Sequence, residues 1–251
     1  MPRDGWVDNR VPFDAATACN LASTMKTPVL LFDVNETLLD MRALDPLFQE
    51  AFGTPPVRQE WFLALQGLWM TSALTNRFVP FDQLARAALD MTARRHVVSL
   101  DAPVRGAILE SLRHLPPYPD AAAALDTLRS TGVLVAALTN GTSAGVRTQL
   151  RHAGLFEKFD EVISVDQVKV YKPGRAPYLF AASRFRAKVD RLSLIAAHHW
   201  DLAGAKAAGL TTVFVRRPGA VLSPLGPQPD IEVADLEEFA RRVASRRRRA
   251  R

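Results

Sequence analysis

Val29-Leu30-Leu31-Phe32-Asp33-Val34-Asn35-Glu36-Thr37-Leu38-Leu39-Asp40 is the stretch that decides how this 251-residue chain is read. A short apolar run ending in turn-forming residues reads as a buried strand. It puts a carboxylate, Asp33, at the strand's carboxyl end and a hydroxyl four residues on, at Thr37. In an open α/β sheet, ligands bind just beyond the carboxyl ends of the strands. Taken alone, an aspartate there serves equally well as a helix cap or turn former.

Three further strand ends decide in favour of a site. Val133–Leu138 runs into Thr139-Asn140-Gly141-Thr142. Glu161–Val165 is followed by Val170-Tyr171-Lys172-Pro173. Leu192–Ala197 leads into His198-His199-Trp200-Asp201. Between these runs lie helical patterns at Ala121–Ser130, Ser143–His152, Gly174–Phe185 and Asp201–Ala208, and a further strand follows at Thr211–Val215. Strands alternating with helices predict a parallel sheet with right-handed crossovers.

Residues 43–115 differ. Phe81, Leu84, Ala85, Ala88 and Leu89 share a helical face, and Asp101 before Pro103 marks a helix start ahead of Ile108, Leu109, Leu112 and Leu115. Pro116-Pro117-Tyr118-Pro119-Asp120 marks the return from this insertion. The expected organisation is an N-terminal extension (1–27), an α/β core (28–42 and 116–245), a helical insertion (43–115) and an arginine-rich tail (246–251).

Composition narrows the classes. Nearly half of the residues are hydrophobic, as in a globular protein, and no apolar run nears the roughly 18 residues that span a bilayer. The first 27 residues lack the apolar centre of a secretory leader. The single cysteine, Cys19, leaves no internal disulfide and suits a reducing, cytoplasmic setting. The net charge of +6 suggests a nucleic-acid binder until it is located. Seven of the 32 basic residues lie in 241–251, so the rest of the chain carries 25 basic against 26 acidic. The basicity belongs to the tail, read as a solvated helix end rather than a nucleic-acid site. The Asn-x-Thr sequons at Asn35 and Asn140 fall on the strand-end turns and are read as neither glycan site.

The ordered set of Asp33, Thr139-Asn140, Lys172 and Asp201 resembles the haloacid dehalogenase superfamily of aspartyl-nucleophile hydrolases. The resemblance runs from about Pro28 to the end of the chain. It implies a Rossmann-like, doubly wound parallel-sheet core in α/β class, with 43–115 as an inserted helical cap domain. It also implies that Asp33 is the nucleophile, Lys172 its counter-charge, Thr37 a partner within the Asp33 turn, and Asp201 a helper of ester hydrolysis. Thr139 and Asn140 offer a hydroxyl and an amide to a substrate carboxylate or a developing oxyanion.

Chemistry separates the members. A phosphatase expels a poor leaving group and needs a proton donor, which the superfamily's phosphatases place two residues after the nucleophile; here that residue is Asn35. Their magnesium site needs a further acid near the last motif, where this chain has Ala196, Ala197, Trp200 and Leu202 around Asp201. A halide leaves without a proton, so the expected function is metal-independent hydrolytic dehalogenation of small 2-haloalkanoic acids to 2-hydroxy acids, with no cofactor. This resembles the type II (L-2-)haloacid dehalogenases, which Tyr171-Lys172-Pro173 and Trp200-Asp201 match residue for residue. The chlorinated acid is the default substrate, and a fluorinated one would require a small pocket.

There are departures. Those enzymes usually carry Tyr at Asn35. In their cap an Arg that helps bind the leaving halide follows a Trp, whereas Trp61 is followed by Phe62. Their last-motif Ser and Asn fall at Ala196 and His198. Arg42, Arg77, His198 and His199 are the candidates to replace the missing donor. Trp61, Phe62, Phe81 and Trp200 are expected walls of an apolar pocket, with Asn35 and His198 as polar contacts. A phosphatase acting on a small phosphate ester, a non-catalytic binding protein of the same fold, and assembly as a homodimer all stay open.

Overall fold

The computed structural model describes residues 28–249; the 1–27 extension with Cys19, and the last two residues of the arginine tail, lie outside the described residues. Six strands form one fully parallel sheet: β1 (Val29–Phe32), β2 (Leu134–Thr139), β3 (Glu161–Ser164), β4 (Leu192–Ala196), β5 (Thr211–Val215) and β6 (Ile231–Val233), in the order β3-β2-β1-β4-β5-β6. Phe32 pairs with Ala137 on one side and Ile195 on the other. The chain winds outward from β1 in both directions, so the topological switch point, where open α/β sheets hold their ligands, falls at the end of β1.

The strands bury both faces. Leu30, Phe32, Val135, Ala137 and Ile195 belong to one core cluster, while Leu31, Ala136, Leu138, Leu194 and Ala196 belong to a second. This alternation is the period of two that a pleated strand imposes. The first cluster includes residues of α5 (Ala121–Ser130), α6 (Ser143–His152) and α9 (Leu236–Arg249); the second includes residues of α7 (Arg175–Arg184) and α8 (His199–Ala208). The sheet is therefore doubly wound.

Between β1 and α5 stand α1 (Asp45–Phe52), α2 (Val57–Leu74), α3 (Phe81–Arg95) and α4 (Ala102–Ser111). The apolar face read at Phe81, Leu84, Ala85, Ala88 and Leu89 is buried, and Asp101 caps α4 by accepting from Val104 N at 2.8 Å. The insertion adds its apolar faces to the first cluster, so it packs on the same end of the sheet as the strand-end residues.

Several bounds move. Strand β6 follows Pro- and Gly-rich sequence and pairs with β5 over three residues, too few for a periodic signal. Helix α8 begins at His199, two residues before the expected start, which carries Asp201 into its first turn. Helix α9 extends to Arg249, and Arg247 donates from Nη2 to the Gly132 carbonyl at 3.2 Å, so part of the arginine run is helical and packed. No helix among the described residues is long and apolar enough to cross a membrane.

Candidate active site

The turn after β1 is locked from several sides. Asp33 N extends the strand ladder by donating to Ile195 O at 3.0 Å, and Leu38 N closes the turn on Val34 O at 2.8 Å. Glu36 takes a left-handed conformation at φ 58°, uncommon for a residue with a Cβ, and the Arg217 guanidinium caps the turn by donating to Thr37 O. Thr37, fully buried, donates its hydroxyl to Asp33 Oδ2 at 2.8 Å and accepts from Ala197 N at 3.0 Å. The expected bond within the Asp33 turn is thus present, and it also ties β1 to the end of β4.

Lys172, with no exposed surface, donates from Nζ to Asp33 Oδ1 at 2.9 Å, to Asp201 Oδ2 at 2.6 Å and to the Leu138 carbonyl at 2.8 Å. All three ammonium protons are thereby used. Asn140 fixes the lysine's backbone: its Oδ1 accepts from Lys172 N at 2.8 Å and its Nδ2 donates to Lys172 O at 3.2 Å. Asp201 is sealed behind this pair, its other oxygen accepting from Tyr178 Oη at 2.6 Å. Gly204 makes that contact fit. A Cβ there would come within 2.7 Å of Tyr178 Oη and 2.5 Å of Pro173 O.

His198, the residue before α8, bridges two acids. Its Nδ1 is 3.0 Å from Asp33 Oδ2 and its Nε2 3.1 Å from Glu36 Oε2. Glu36 in turn accepts from Arg58 Nη1 at 3.2 Å, and Arg58 also pairs with Asp45. Burial works against charge on His198, Glu36, Asp33, Lys172 and Asp201. For His198 the two acids outweigh it and push the pKa up to about 9, so the ring is an imidazolium that donates from both nitrogens at neutral pH. Burial also opposes the Asp33 charge, but Lys172 and His198 hold its carboxyl well below the usual carboxylate range. Lys172 is raised despite burial by Asp201 and Asp33. Burial raises Asp201, Lys172 draws it down, and the neighbouring Asp33 charge leaves it above its ordinary value.

The cluster borders a small cavity of about 20 Å³, lined by Asp33, Asn35, Thr139, Asn140, Gly141 and His198 on the polar side and by Phe62, Trp69, Phe81 and Trp200 on the apolar side. Thr139 Oγ1 accepts from Gly141 N at 3.0 Å. Asn35 Oδ1 accepts from Gln149 Nε2 at 3.1 Å. A wider cleft of about 650 Å³, whose lining includes Arg42, Arg58, Arg217 and His199, lies against the other side of Phe62, His198 and Trp200.

Most of the residues singled out in the sequence meet here, with one correction. Trp61 is fully buried and absent from the cavity wall; its indole N–H donates to Ala85 O at 3.1 Å and its ring packs on Phe48, so it binds α2 to α3 and α1. The wall positions on α2 belong to Phe62 and Trp69. Of the replacement donors, only His198 reaches the cluster. Arg42 pairs with Asp40, while Arg77 and His199 are exposed. Trp69, Glu36, Arg58, Tyr178 and Gln149 were not foreseen; only Trp69, eight residues after Trp61 on the same helix, carried a sequence signal.

A magnesium ion of the phosphatase kind does not fit these residues. Both Asp33 oxygens face cations, both Asp201 oxygens are committed, and Asn35 has its carbonyl oxygen held by Gln149.

The family model for haloacid dehalogenase-like hydrolases matches residues 27–209. (S)-2-haloacid dehalogenase H-109 of Pseudomonas putida is 31% identical over 84% of this chain and 95% of its own length. The (S)-2-haloacid dehalogenase of Pseudomonas sp. strain YL is 32% identical over 82% and 90%. The solved L-2-haloacid dehalogenase of Xanthobacter autotrophicus, with chloropropionic acid covalently bound, superposes with a TM-score of 0.80 at 23% identity, covering 86% of this chain and 98% of that one, a likeness of fold. With its Asp33-bearing turn at the switch point of a doubly wound sheet, this chain belongs to the haloacid dehalogenase-like hydrolase family.

Proposed function

We propose that the protein is a hydrolase acting on carbon–halide bonds, converting small 2-haloalkanoic acids to 2-hydroxy acids without a metal. The observation that carries this reading is the state of Asp33: ionised, aimed by Lys172 and Thr37 at a small, largely apolar cavity, with an amide rather than an acid at position 35. An aspartate held in that way can displace a leaving group that needs no proton.

In the first step an Asp33 carboxylate oxygen attacks the halogen-bearing carbon. The carbon–halogen bond breaks with its electron pair going to the halide, and an aspartyl ester forms. Thr139 and Asn140, on the cavity wall, stand nearest for the substrate carboxylate. In the second step water attacks the ester carbonyl of Asp33, and the acyl–oxygen bond cleaves to release the 2-hydroxy acid and regenerate the carboxylate. Thr37 and Lys172 hold the carboxyl oxygens through that step. Asp201 keeps Lys172 in place but is sealed from the cavity, whereas His198 stands on the cavity wall. Esterification removes the Asp33 charge that helps keep His198 protonated. With its proton passed to solvent, Nδ1 can accept one from the attacking water, and Glu36 orients the ring.

The cavity, with room for about one water, favours the smallest 2-haloacids. A cap role for 43–115 is supported by Phe62, Trp69 and Phe81, which line the cavity with Asp33, and the wider cleft, with three arginines in its wall, gives anions an approach. The one cysteine supports a cytoplasmic setting.

The test is halide release from racemic 2-chloropropionate by purified protein with EDTA present. Release that persists in EDTA and is lost in Asp33→Asn, with the fold kept, supports the reading; the remaining enantiomer reports stereochemistry. Turnover of a phosphate ester that depends on magnesium would replace it.

A further inference from the structure

Three buried side-chain polar atoms among the described residues find no hydrogen-bond partner in the protein, and two of them are the indole N–H groups of Trp69 and Trp200. Both rings line the cavity that holds Asp33, and they touch each other with centroids 5.5 Å apart at 57°. They are 2% and 7% exposed, so water does not serve them from the surface. A buried N–H donor without an acceptor costs about 1–3 kcal/mol, and native proteins rarely leave two on touching rings unless something else accepts from them.

The surroundings select an anion. Phe62 meets the Trp69 ring edge-on at 5.7 Å, and Phe81 stacks on its other side at 6.2 Å. The His198 imidazolium stacks on Trp200 at 5.0 Å, and the Lys172 ammonium lies 5.9 Å from the same ring centre. Two cations against one indole withdraw electron density and strengthen its N–H as a donor. An apolar wall, two unpartnered donors on touching rings and cations behind one of them suit a weakly hydrated monovalent anion better than a carboxylate, which needs more donors.

We infer that Trp69 and Trp200 form the halide cradle of this protein, taking by two indole N–H groups the role for which the resemblance supplied an arginine where this chain has Phe62. The inference rests on the dehalogenase reading. As the carbon–halogen bond breaks, the halide keeps the bonding electrons and accepts from both Nε1–H groups, and no proton is transferred. The donors act on charge that develops only as the bond breaks, so they lower the barrier most for the halide that leaves least readily.

Indole N–H resonances of the ¹⁵N-labelled wild-type protein, followed while bromide is added at constant ionic strength, test the cradle directly. The Trp69 and Trp200 signals should move together and saturate at one affinity, while that of Trp61, bonded to Ala85 O, stays fixed. Trp69→Phe and Trp200→Phe should each weaken inhibition by bromide about tenfold, the effect of losing one hydrogen bond to a charged group. Each should also slow 2-chloropropionate more than 2-bromopropionate. Trp69 and Trp200 signals that do not respond to bromide overturn the cradle, whether or not the enzyme turns over and whether or not the variants fold. Failure of the wild type to release halide instead strikes the dehalogenase reading, and the bromide titration still decides whether the anion site exists.

Discussion

Lys172 and Asp33, 139 positions apart in the chain, meet at 2.9 Å in a site where neither side chain is appreciably exposed. Asp201 sits 2.6 Å from the same ammonium, so one cation separates two buried carboxylates. Removing it leaves two like charges facing each other without compensation, which a buried site tolerates poorly.

Lys172→Met should therefore cost about 3–5 kcal/mol of stability at neutral pH, together with the activity. The loss should shrink in acid. With the ammonium gone the pair of carboxyls rises in pKa, and protonating one of them relieves the repulsion. Urea unfolding of wild type and variant at pH 5 and pH 8 checks this: the gap between them should be narrower at pH 5. An equal gap at both values would mean that the two carboxylates do not interact as the geometry requires.

His198 gives a dependence of the opposite sign. Its pKa is raised to about 9 from an ordinary 6.5, so the stabilisation from its contacts is fully present below about 6.5 and is lost as pH rises through about 9. It amounts to no more than about 3 kcal/mol. The groups that face the ring are Asp33 and Glu36 by hydrogen bond and Trp200 and Phe62 by packing, with Arg58 behind Glu36. Melting temperatures of wild type and His198→Asn should differ most near pH 6 and converge towards pH 10. Glu36→Gln should lower the imidazole pKa seen by NMR, since one of its two anions becomes neutral.

How much of this was legible in the sequence follows from where each group sits. Asp33 and Asn140 lie at or just past the end of an apolar run, so strand periodicity points to their place. Lys172 and Asp201 lie further along and are picked out by the resemblance of the ordered set; the winding order brings all four together. Glu36 and Tyr178 had no such marker. Glu36 reads as one turn residue among several, and its role comes from Arg58 and His198, 22 and 162 positions away. Tyr178 reads as helix core until α8 packs against α7. On α2 the aromatics at 61 and 69 are eight residues apart, and helical spacing does not say which of them faces the cavity and which the neighbouring helices. Only the packing of α3 on α2 decides, by presenting the Ala85 carbonyl to Trp61.

That division of labour between the two tryptophans can be measured. Trp61→Phe keeps the ring but abandons the Ala85 carbonyl inside the helical insertion. It should lower stability by about 1–3 kcal/mol, the cost of an unpaired buried acceptor. Because Trp61 is not on the cavity wall, kcat/KM for 2-chloropropionate, assayed well below the melting temperature, should stay within about twofold of wild type. A large rise in KM without loss of stability would return Trp61 to the substrate pocket.

Gly204 controls how closely α8 approaches the Lys172 loop. A Cβ there would stand 2.5 Å from Pro173 O, 2.6 Å from Pro173 Cβ and 2.7 Å from Tyr178 Oη, contacts that backbone and a buried ring cannot yield without moving. Gly204→Ala should push the helix away, lengthen the 2.6 Å Tyr178–Asp201 bond and loosen the carboxylate that steadies Lys172. Overpacking of this kind costs about 1–3 kcal/mol. The activity loss should exceed that of Tyr178→Phe, which removes the hydroxyl but leaves α8 in place. Comparing kcat/KM of the two variants separates the effects. If they fall equally, Tyr178 alone carries the coupling; if Gly204→Ala falls further, the position of the helix sets the geometry of the Lys172–Asp33 pair.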